Sequence, residues 1–431
     1  QKDMKIIHLT LFIFLFTSSQ IKSNENLNLI ELYKELHSEP ELSFKEKKTS
    51  KKLANILHTM GFEVTQNFGG YGVVAILKNG PGKTIMIRAD MDALPVEEKT
   101  GVSYASKIRS FNQVGDEVFT MHACGHDVHM ASLIGAASSL SELKNRWKGT
   151  LVLILQPAEE VSGGARRMIK EGIFSKFPRP DLNLALHVSA DLPAGKIGLV
   201  SGWAMANVDS LDITIKGIGG HGAYPHRTKD PIVMASQLIN NLQTIISREI
   251  APVDAAVVTV GSIHGGTKHN VIPSEVKLQL TLRSYSDEVR NQTITSIKRI
   301  ARGLAEASGI PDNLFPVITL KDEFTPAVYN NPELIEKLRV SFENTLGKDN
   351  VLTVSPVMAG EDFGMYGRVD PIIPSALFWL GSVNKKKYDN SLKDELTLPS
   401  LHSPFFLPDA EIAIPIGVRA FTNAAIDLFN E

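Results

Sequence analysis

Leu29, Ile30, Leu32, Tyr33 and Leu36 recur at the three- and four-residue spacing of one helix face, and Thr49 to Met60 repeats the pattern up to a closing Gly61. Both stretches predict amphipathic helices. The texture then changes: Val73 to Leu77, Thr84 to Arg88 and Gly149 to Leu155 are short apolar runs bounded by turn residues, which predicts strands. A helical stretch from Val128 to Leu143 lies between the last two. Such alternation predicts a mixed or parallel sheet, whose ligands come from the carboxyl ends of its strands. Polar motifs stand at those ends. Ala89-Asp90-Met91-Asp92 follows one strand, Gln156-Pro157-Ala158-Glu159-Glu160 another, and Leu184-Ala185-Leu186-His187 is expected to end a third.

Between Met205 and Lys321 the predicted order is more compact. A strand from Leu211 to Lys216 leads to a helix with Asp230 as N-cap and Pro231 at its first position, running to about Glu249. Strands Ala256 to Ser262 and Glu275 to Arg283 follow, then a helix from Ser286 to Ser308 stopped by Gly309, then a strand from Phe315 to Leu320. This βαββαβ order is the ferredoxin-like arrangement and predicts an inserted domain. Beyond it, Val328 to Leu346 reads as helical and Lys385 to Ser400 as a polar surface loop. Glu411 to Phe429 reads as a final helix packing back on the first sheet. The expected division is a leader region at 1–24, a catalytic domain in two pieces, 25–204 and 322–431, and the inserted unit at 205–321.

The N-terminus differs in kind. Lys5 precedes the apolar run Ile6 to Phe16, broken by His8 and Thr10, and the small residues Thr17, Ser18 and Ser19 follow. That is the layout of a secretory signal peptide, and the run falls short of the ~20 apolar residues of a membrane span. Export to the periplasm or exterior is expected, with no membrane attachment after cleavage; an uncleaved N-terminal anchor is the alternative. The 45 Lys and Arg residues nearly balance the 47 Asp and Glu, and no basic block exceeds Lys385-Lys386-Lys387, so nothing marks a nucleic-acid partner. A small neutral or mildly charged substrate fits better. With 43% hydrophobic residues the chain has material for sizeable cores.

The only cysteine, Cys124, stands two positions before His126 in Met121-His122-Ala123-Cys124-Gly125-His126-Asp127. A thiolate and an imidazole separated by one glycine can converge on one cation, because Gly125 permits the tight turn that two neighbouring ligands need. Glu160, His187 and His402 bring the candidate ligands to five, enough for two metals that share one donor and each keep an open position. Glu159-Glu160 matters most: adjacent side chains diverge, so one carboxylate can bind metal while its neighbour serves as a general base.

Six motifs carry a family resemblance: Arg88-Ala89-Asp90-Met91-Asp92-Ala93-Leu94-Pro95, the Met121–Asp127 and Gln156–Glu160 stretches, Gly219-Gly220-His221-Gly222-Ala223-Tyr224-Pro225-His226, His269-Asn270-Val271-Ile272-Pro273 and Met358-Ala359-Gly360-Glu361-Asp362-Phe363. The chain resembles the aminoacylase and carboxypeptidase family of two-metal peptidases, peptidase family M20. It is most similar to the amidohydrolase branch of hippurate, N-acyl-amino-acid and indole-acetyl-amino-acid hydrolases. The resemblance runs from about Leu32 to the C-terminus. It implies Cys124 as bridging ligand, His126 and His187 completing one metal, and Glu160 and His402 the other. The metals would be zinc, manganese, nickel or cobalt. Glu159 would be the base, Asp92 the carboxylate that orients a ligand, and His221 the group that polarises the scissile carbonyl, often across a dimer. Asn270 and Arg283 would hold substrate. It further implies a homodimer whose inserted domain is both lid and dimer surface, and hydrolysis of N-acyl-amino acids to a carboxylic acid and an amino acid. A dipeptidase or N-acetyl-diaminopimelate deacetylase on the same machinery is the alternative, and a secreted metal- or peptide-binding protein without catalysis is the alternative of another class.

Overall fold

The computed structural model describes residues 27–321, 324–393 and 396–431, so the expected leader lies outside the described residues. Eight strands form the main sheet, in the order Glu63–Phe68, Gly72–Asn79, Gly149–Gln156, Thr84–Asp90, Leu182–Pro193, Ser375–Val383, Ile197–Leu199 and Val351–Thr353. The pairing is mixed. Thr84–Asp90 runs parallel to both its neighbours, whereas Gly72–Asn79 is antiparallel to Gly149–Gln156. Val73, Ala75 and Leu77 face one core cluster, and Val74 and Ile76 face another on the opposite side of the sheet. Burial on both faces explains why these strands read as unbroken apolar runs rather than alternating ones.

The first face is covered by helices Leu29–Ser38, Lys47–Thr59, His126–Glu142 and Ala410–Phe429. Asn28 caps the first of these through its side chain, which accepts from the N–H groups of Ile30 and Glu31. Ala410–Phe429 is long and apolar enough to cross a membrane by composition, but 67% of its apolar window is buried. It packs against His126–Glu142, Pro332–Leu346 and the strand Ser375–Val383. Its apolarity is that of a core helix, as the expectation of packing on the first sheet requires.

A second sheet has four antiparallel strands in the order Ala256–Gly265, Glu275–Ser284, Asn207–Lys216 and Val317–Leu320. Here burial alternates residue by residue, because one face packs on helices Pro231–Thr244 and Asp287–Ala307 while the other is open. Asp230 caps the first helix as expected, and its last turn widens into a π-turn over Ile245–Glu249.

Three sequence expectations are corrected, and one strand is added to them. His187 does not end its strand, which continues to Pro193; it lies just beyond the last residue paired with Thr84–Asp90. Val328 opens a strand, Val328–Asn330, and the helix starts only at Pro332 after the capping Asn331. Lys385–Ser391 is a short helix rather than loop, capped by Asn384. The strand Ser375–Val383, buried at all nine positions, is an element that the sequence reading does not include.

Candidate metal centre

At the carboxyl edge of Thr84–Asp90 and Gly149–Gln156 the five candidate ligands meet in two overlapping groups. The donor atoms of Cys124, His126 and His187 lie within 4.8 Å of one another, and so do those of Cys124, Glu160 and His402. Gly125 makes the first group possible. It takes φ 76° as N-cap of helix His126–Glu142, and a β-carbon there would come within 2.5 Å of Val188 Cγ2.

Both buried imidazoles are oriented by their Nδ1 atoms. His126 Nδ1 donates to the backbone carbonyl of Asp92 at 2.7 Å, and His187 Nδ1 donates to that of Val188 at 2.8 Å. Their Nε2 atoms therefore face the cluster: that of His187 is 3.6 Å from Cys124 Sγ, and that of His126 is 3.8 Å from Glu160 Oε1. His402 contributes from the opposite wall, with Nε2 3.5 Å from Glu160 Oε2, and its side chain is 54% exposed. Its N–H is tied to the carbonyl of Ala123, beside Cys124.

The donor set fits a cation. His126 Nε2 and Glu160 Oε1 are buried without any hydrogen-bond partner, a costly state for polar atoms in a protein interior. Burial, then the carboxylates of Glu160, Glu159 and Asp90, pushes the Cys124 thiol well up. Burial likewise raises Glu160 to about 8, against the pull of His126. Burial alone would lower His126, but Asp90, Asp92 and Glu160 hold it up to about 10. Such mutual strain is what divalent cations between these groups would relieve, turning protonated thiol and acid into ligands.

Asp92 grips the acidic pair by the backbone. Its Oδ1 accepts the N–H of Glu159 and its Oδ2 that of Glu160, each at 3.0 Å, and Ser43 Oγ donates to Oδ2 at 2.6 Å. Hydrogen bonds to a charged acceptor are worth about 1.5–3 kcal/mol each. The orienting role expected of Asp92 thus falls on the Glu159–Glu160 turn, with His126 held by the same residue's carbonyl.

Several residues at this edge carry no assigned role in the sequence reading. Asp90 Oδ1 takes the Nδ1–H of His129 at 2.6 Å, while His129 Nε2 accepts the N–H of Val188 at 2.9 Å, so His129 has no nitrogen left for a ligand. Arg88, wholly buried, pairs with Asp90, Glu361 and Asp362 at 2.7, 2.7 and 3.0 Å. Glu361 and Asp362 approach Glu159 in turn. After burial, the carboxylate of Glu361 is the main influence holding Glu159 well above the usual carboxylate range. An arginine inside the apolar run Ile85 to Ala89 was the available signal, since a buried charge needs partners.

The substrate candidates divide. Arg283 is half-buried against the loop that leads to Glu361, with Nη1 3.5 Å from the carbonyl of Met358. His221 is exposed on a two-stranded ladder, Gly220–His221 against Val271–Ile272, and Asn270 is exposed in the turn just before its second strand. Their contacts are local: Ala223 N–H donates to His221 Nδ1, and Gly222 N–H to the carbonyl of Asn270. Two cavities flank the centre. One of about 360 Å³ lies between Glu160 and the apolar side chains of Leu42, Leu94 and Phe111; the other, of about 400 Å³, runs from Ser189 and Trp379 to Leu401.

The family model for peptidase family M20/M25/M40 matches residues 86–401. Thermostable carboxypeptidase 2 of Saccharolobus solfataricus is 35% identical over 94% of this chain and 96% of its own. The hippurate hydrolase of Campylobacter jejuni is 38% identical over 77% of this chain and 83% of its own. The crystal structure of the YXEP protein of Bacillus subtilis, called a dinuclear metal-binding peptidase from the M20 family, superposes with a TM-score of 0.74 at 31% identity, over 93% of this chain and 98% of that one.

Proposed function

Because this chain belongs to peptidase family M20 and is a metal-dependent hydrolase of amide bonds, we propose that it cleaves N-acyl-amino acids to a carboxylic acid and an amino acid. The two donor triads sharing Cys124 carry this reading. In it Cys124 would be shared by two cations, with His126 and His187 holding one and Glu160 and His402 the other. When bound, the cations would polarise the amide carbonyl and lower the pKa of water toward about 7. A thiolate donor favours zinc or nickel over magnesium, with manganese and cobalt the remaining candidates.

Glu159 then acts as the general base. It takes a proton from the attacking water and delivers it to the leaving amine, and its proton affinity is raised by burial and by the neighbouring Glu361 carboxylate. Asp92 fixes where it stands. The two flanking cavities offer separate, largely apolar space for an acyl group and an amino-acid side chain. Arg283, with its guanidinium beside the Met358 carbonyl, and Asn270 bind the substrate carboxylate in this reading.

The 205–321 unit is read as a ferredoxin-like lid, supported by its four-stranded order. It is also read as the dimer surface: Ala256–Gly265 is an edge strand, and Ile263 on it and Val233 nearby are about half exposed. Export of the chain is the proposal that goes with residues 1–24, and mass spectrometry of the mature N-terminus tests it.

The test of the reaction is Glu159→Gln assayed on acetyl-, benzoyl- and indole-acetyl-amino acids beside dipeptides. Turnover should fall about 10²- to 10⁴-fold with metal content unchanged. Activity within a few-fold of wild type removes Glu159 from the mechanism, and preferential turnover of dipeptides replaces the substrate class.

A further inference from the structure

Phe44, at φ 60°, and Ala158, at φ 51° and immediately before the acidic pair, are among the residues here that adopt the left-handed backbone a β-carbon disfavours. Such conformations cost about 1–3 kcal/mol each and persist only where surroundings enforce them. Here one atom serves both. Glu46 Oε1 accepts the N–H of Phe44 at 2.9 Å and that of Ala158 at 2.8 Å. Glu46 is wholly buried and stands at the N-cap of helix Lys47–Thr59, yet its side chain makes no cap hydrogen bond to that helix. It is turned toward Ala158, the residue before Glu159.

The segment carrying Glu46 is itself clamped. The Phe44 ring lies under the Arg167 guanidinium, 3.6 Å from its centroid, and is so close to Gly163 that a β-carbon there would meet it at 2.8 Å. One residue earlier, Ser43 holds Asp92, which takes the next two amides. Three consecutive N–H groups, of Ala158, Glu159 and Glu160, are therefore captured by two buried carboxylates. Residues 43–46 precede the stretch matched by the family model.

We propose that Glu46 is a positioning residue for the Glu159–Glu160 pair: its Oε1 locks Ala158 in the left-handed turn that sends one carboxylate toward the Cys124–His402 group and leaves its neighbour free for the reacting water. The inference rests on the roles assigned above to Glu159 and Glu160. Without the acceptor, Ala158 relaxes to an ordinary φ and both side chains swing, and a displacement of about 1 Å at reacting groups costs on the order of 10²-fold in rate. What matters is an acceptor oxygen at that point, so glutamine, which keeps a carbonyl there, should serve.

The experiment compares Glu46→Ala, Glu46→Asp and Glu46→Gln in the full chain, by kcat, KM and Zn²⁺ affinity in equilibrium dialysis. Glu46→Ala should lower kcat about 10- to 100-fold with KM nearly unchanged, and weaken Zn²⁺ binding about 10-fold. Glu46→Asp, whose carboxylate is one methylene short, should lose part of both, which keeps the test open should the alanine variant fail to fold. Glu46→Gln should restore both to within about threefold of wild type. The proposal is overturned if the alanine and aspartate variants match wild type, or if glutamine is as impaired as alanine. Glu159→Gln measured alongside separates the two levels: an active Glu159→Gln enzyme removes the underlying reading, whereas an inactive one beside an unimpaired Glu46→Ala removes only the role of Glu46.

Discussion

Arg88 stands in the middle of a strand with no exposed surface, and its guanidinium is the counter-charge for Asp90, Glu361 and Asp362 together. Replacing one partner of a buried ionic cluster leaves the others uncompensated, at about 3–5 kcal/mol. Arg88→Met should therefore destabilise the protein by that much in urea unfolding; a loss under about 1 kcal/mol would mean that the carboxylates are neutralised some other way. Cys124→Ser separates fold from chemistry. A hydroxyl is nearly the same size but is not deprotonated near neutrality, so Zn²⁺ binding should weaken by more than about 10-fold while the metal-free protein melts within a few degrees of the parent. Retained stoichiometric metal would take Cys124 out of the centre. These residues differ in how visible they were. Cys124, His126, Glu159 and Glu160 stand in short motifs whose spacing carries the chemistry. Asp92 was named through its motif, although not for the backbone N–H groups it holds, whereas Glu46 acts on an N–H group more than 60 residues away in the chain, and a contact of that kind leaves no local pattern.

His37 links elements across the first face of the sheet. It sits on helix Leu29–Ser38 and donates to Asp127 in the first turn of His126–Glu142 at 2.7 Å, and to Glu98 in the loop after strand Thr84–Asp90 at 3.0 Å. Burial alone would lower its pKa, but these two carboxylates more than offset that and hold it at about 9. A raised imidazole pKa contributes stability in full below its unfolded value of about 6.5, and the contribution is lost as pH rises through the folded value. Asp127 and Glu98 are lowered, so their contribution fades instead as pH falls below about 4. The clamp is thus strongest near pH 5–6. His37→Gln should cost about 3 kcal/mol at pH 6 and much less at pH 9.5, read by urea unfolding at each pH; an equal cost at both would show that packing, not charge, ties the helix down. At this scale the sequence was informative where a pattern repeats. Helices with one apolar stripe and strands with alternating burial, such as Glu275–Ser284, were legible. Val328–Asn330 was not, because three residues paired with Gly202–Met205 owe their extended shape to a distant partner.

The whole molecule leaves one assignment incomplete within a single chain. His221 and the neighbouring Asn270 stand exposed at one small ladder in the 205–321 region, their hydrogen bonds are local, and Tyr224, 5.3 Å from the His221 ring, is itself half exposed. Arg283 instead already lies against the Met358 carbonyl and Gly360, on the loop that carries Glu361. If all three act on one substrate, the first two belong to a site completed by a second copy, and the open edge strand Ala256–Gly265 offers the surface through which copies would join. The roles then predict different kinetic signatures. Arg283→Ala should chiefly raise KM, because carboxylate binding is felt in ground and transition states alike, whereas His221→Ala should chiefly lower kcat. Mixing two inactive variants gives the direct measurement. In a dimer of one His221→Ala and one Glu159→Gln subunit, action across the interface unites an intact histidine with an intact glutamate at one of the two sites. Random exchange makes half of the dimers mixed, so activity should return to about a quarter of wild type. Action within one chain leaves every mixed site defective in one residue or the other. Exchange verified by mass spectrometry with no recovered activity would therefore return His221 to its own subunit and oblige the 205–321 region to swing over its own metal centre.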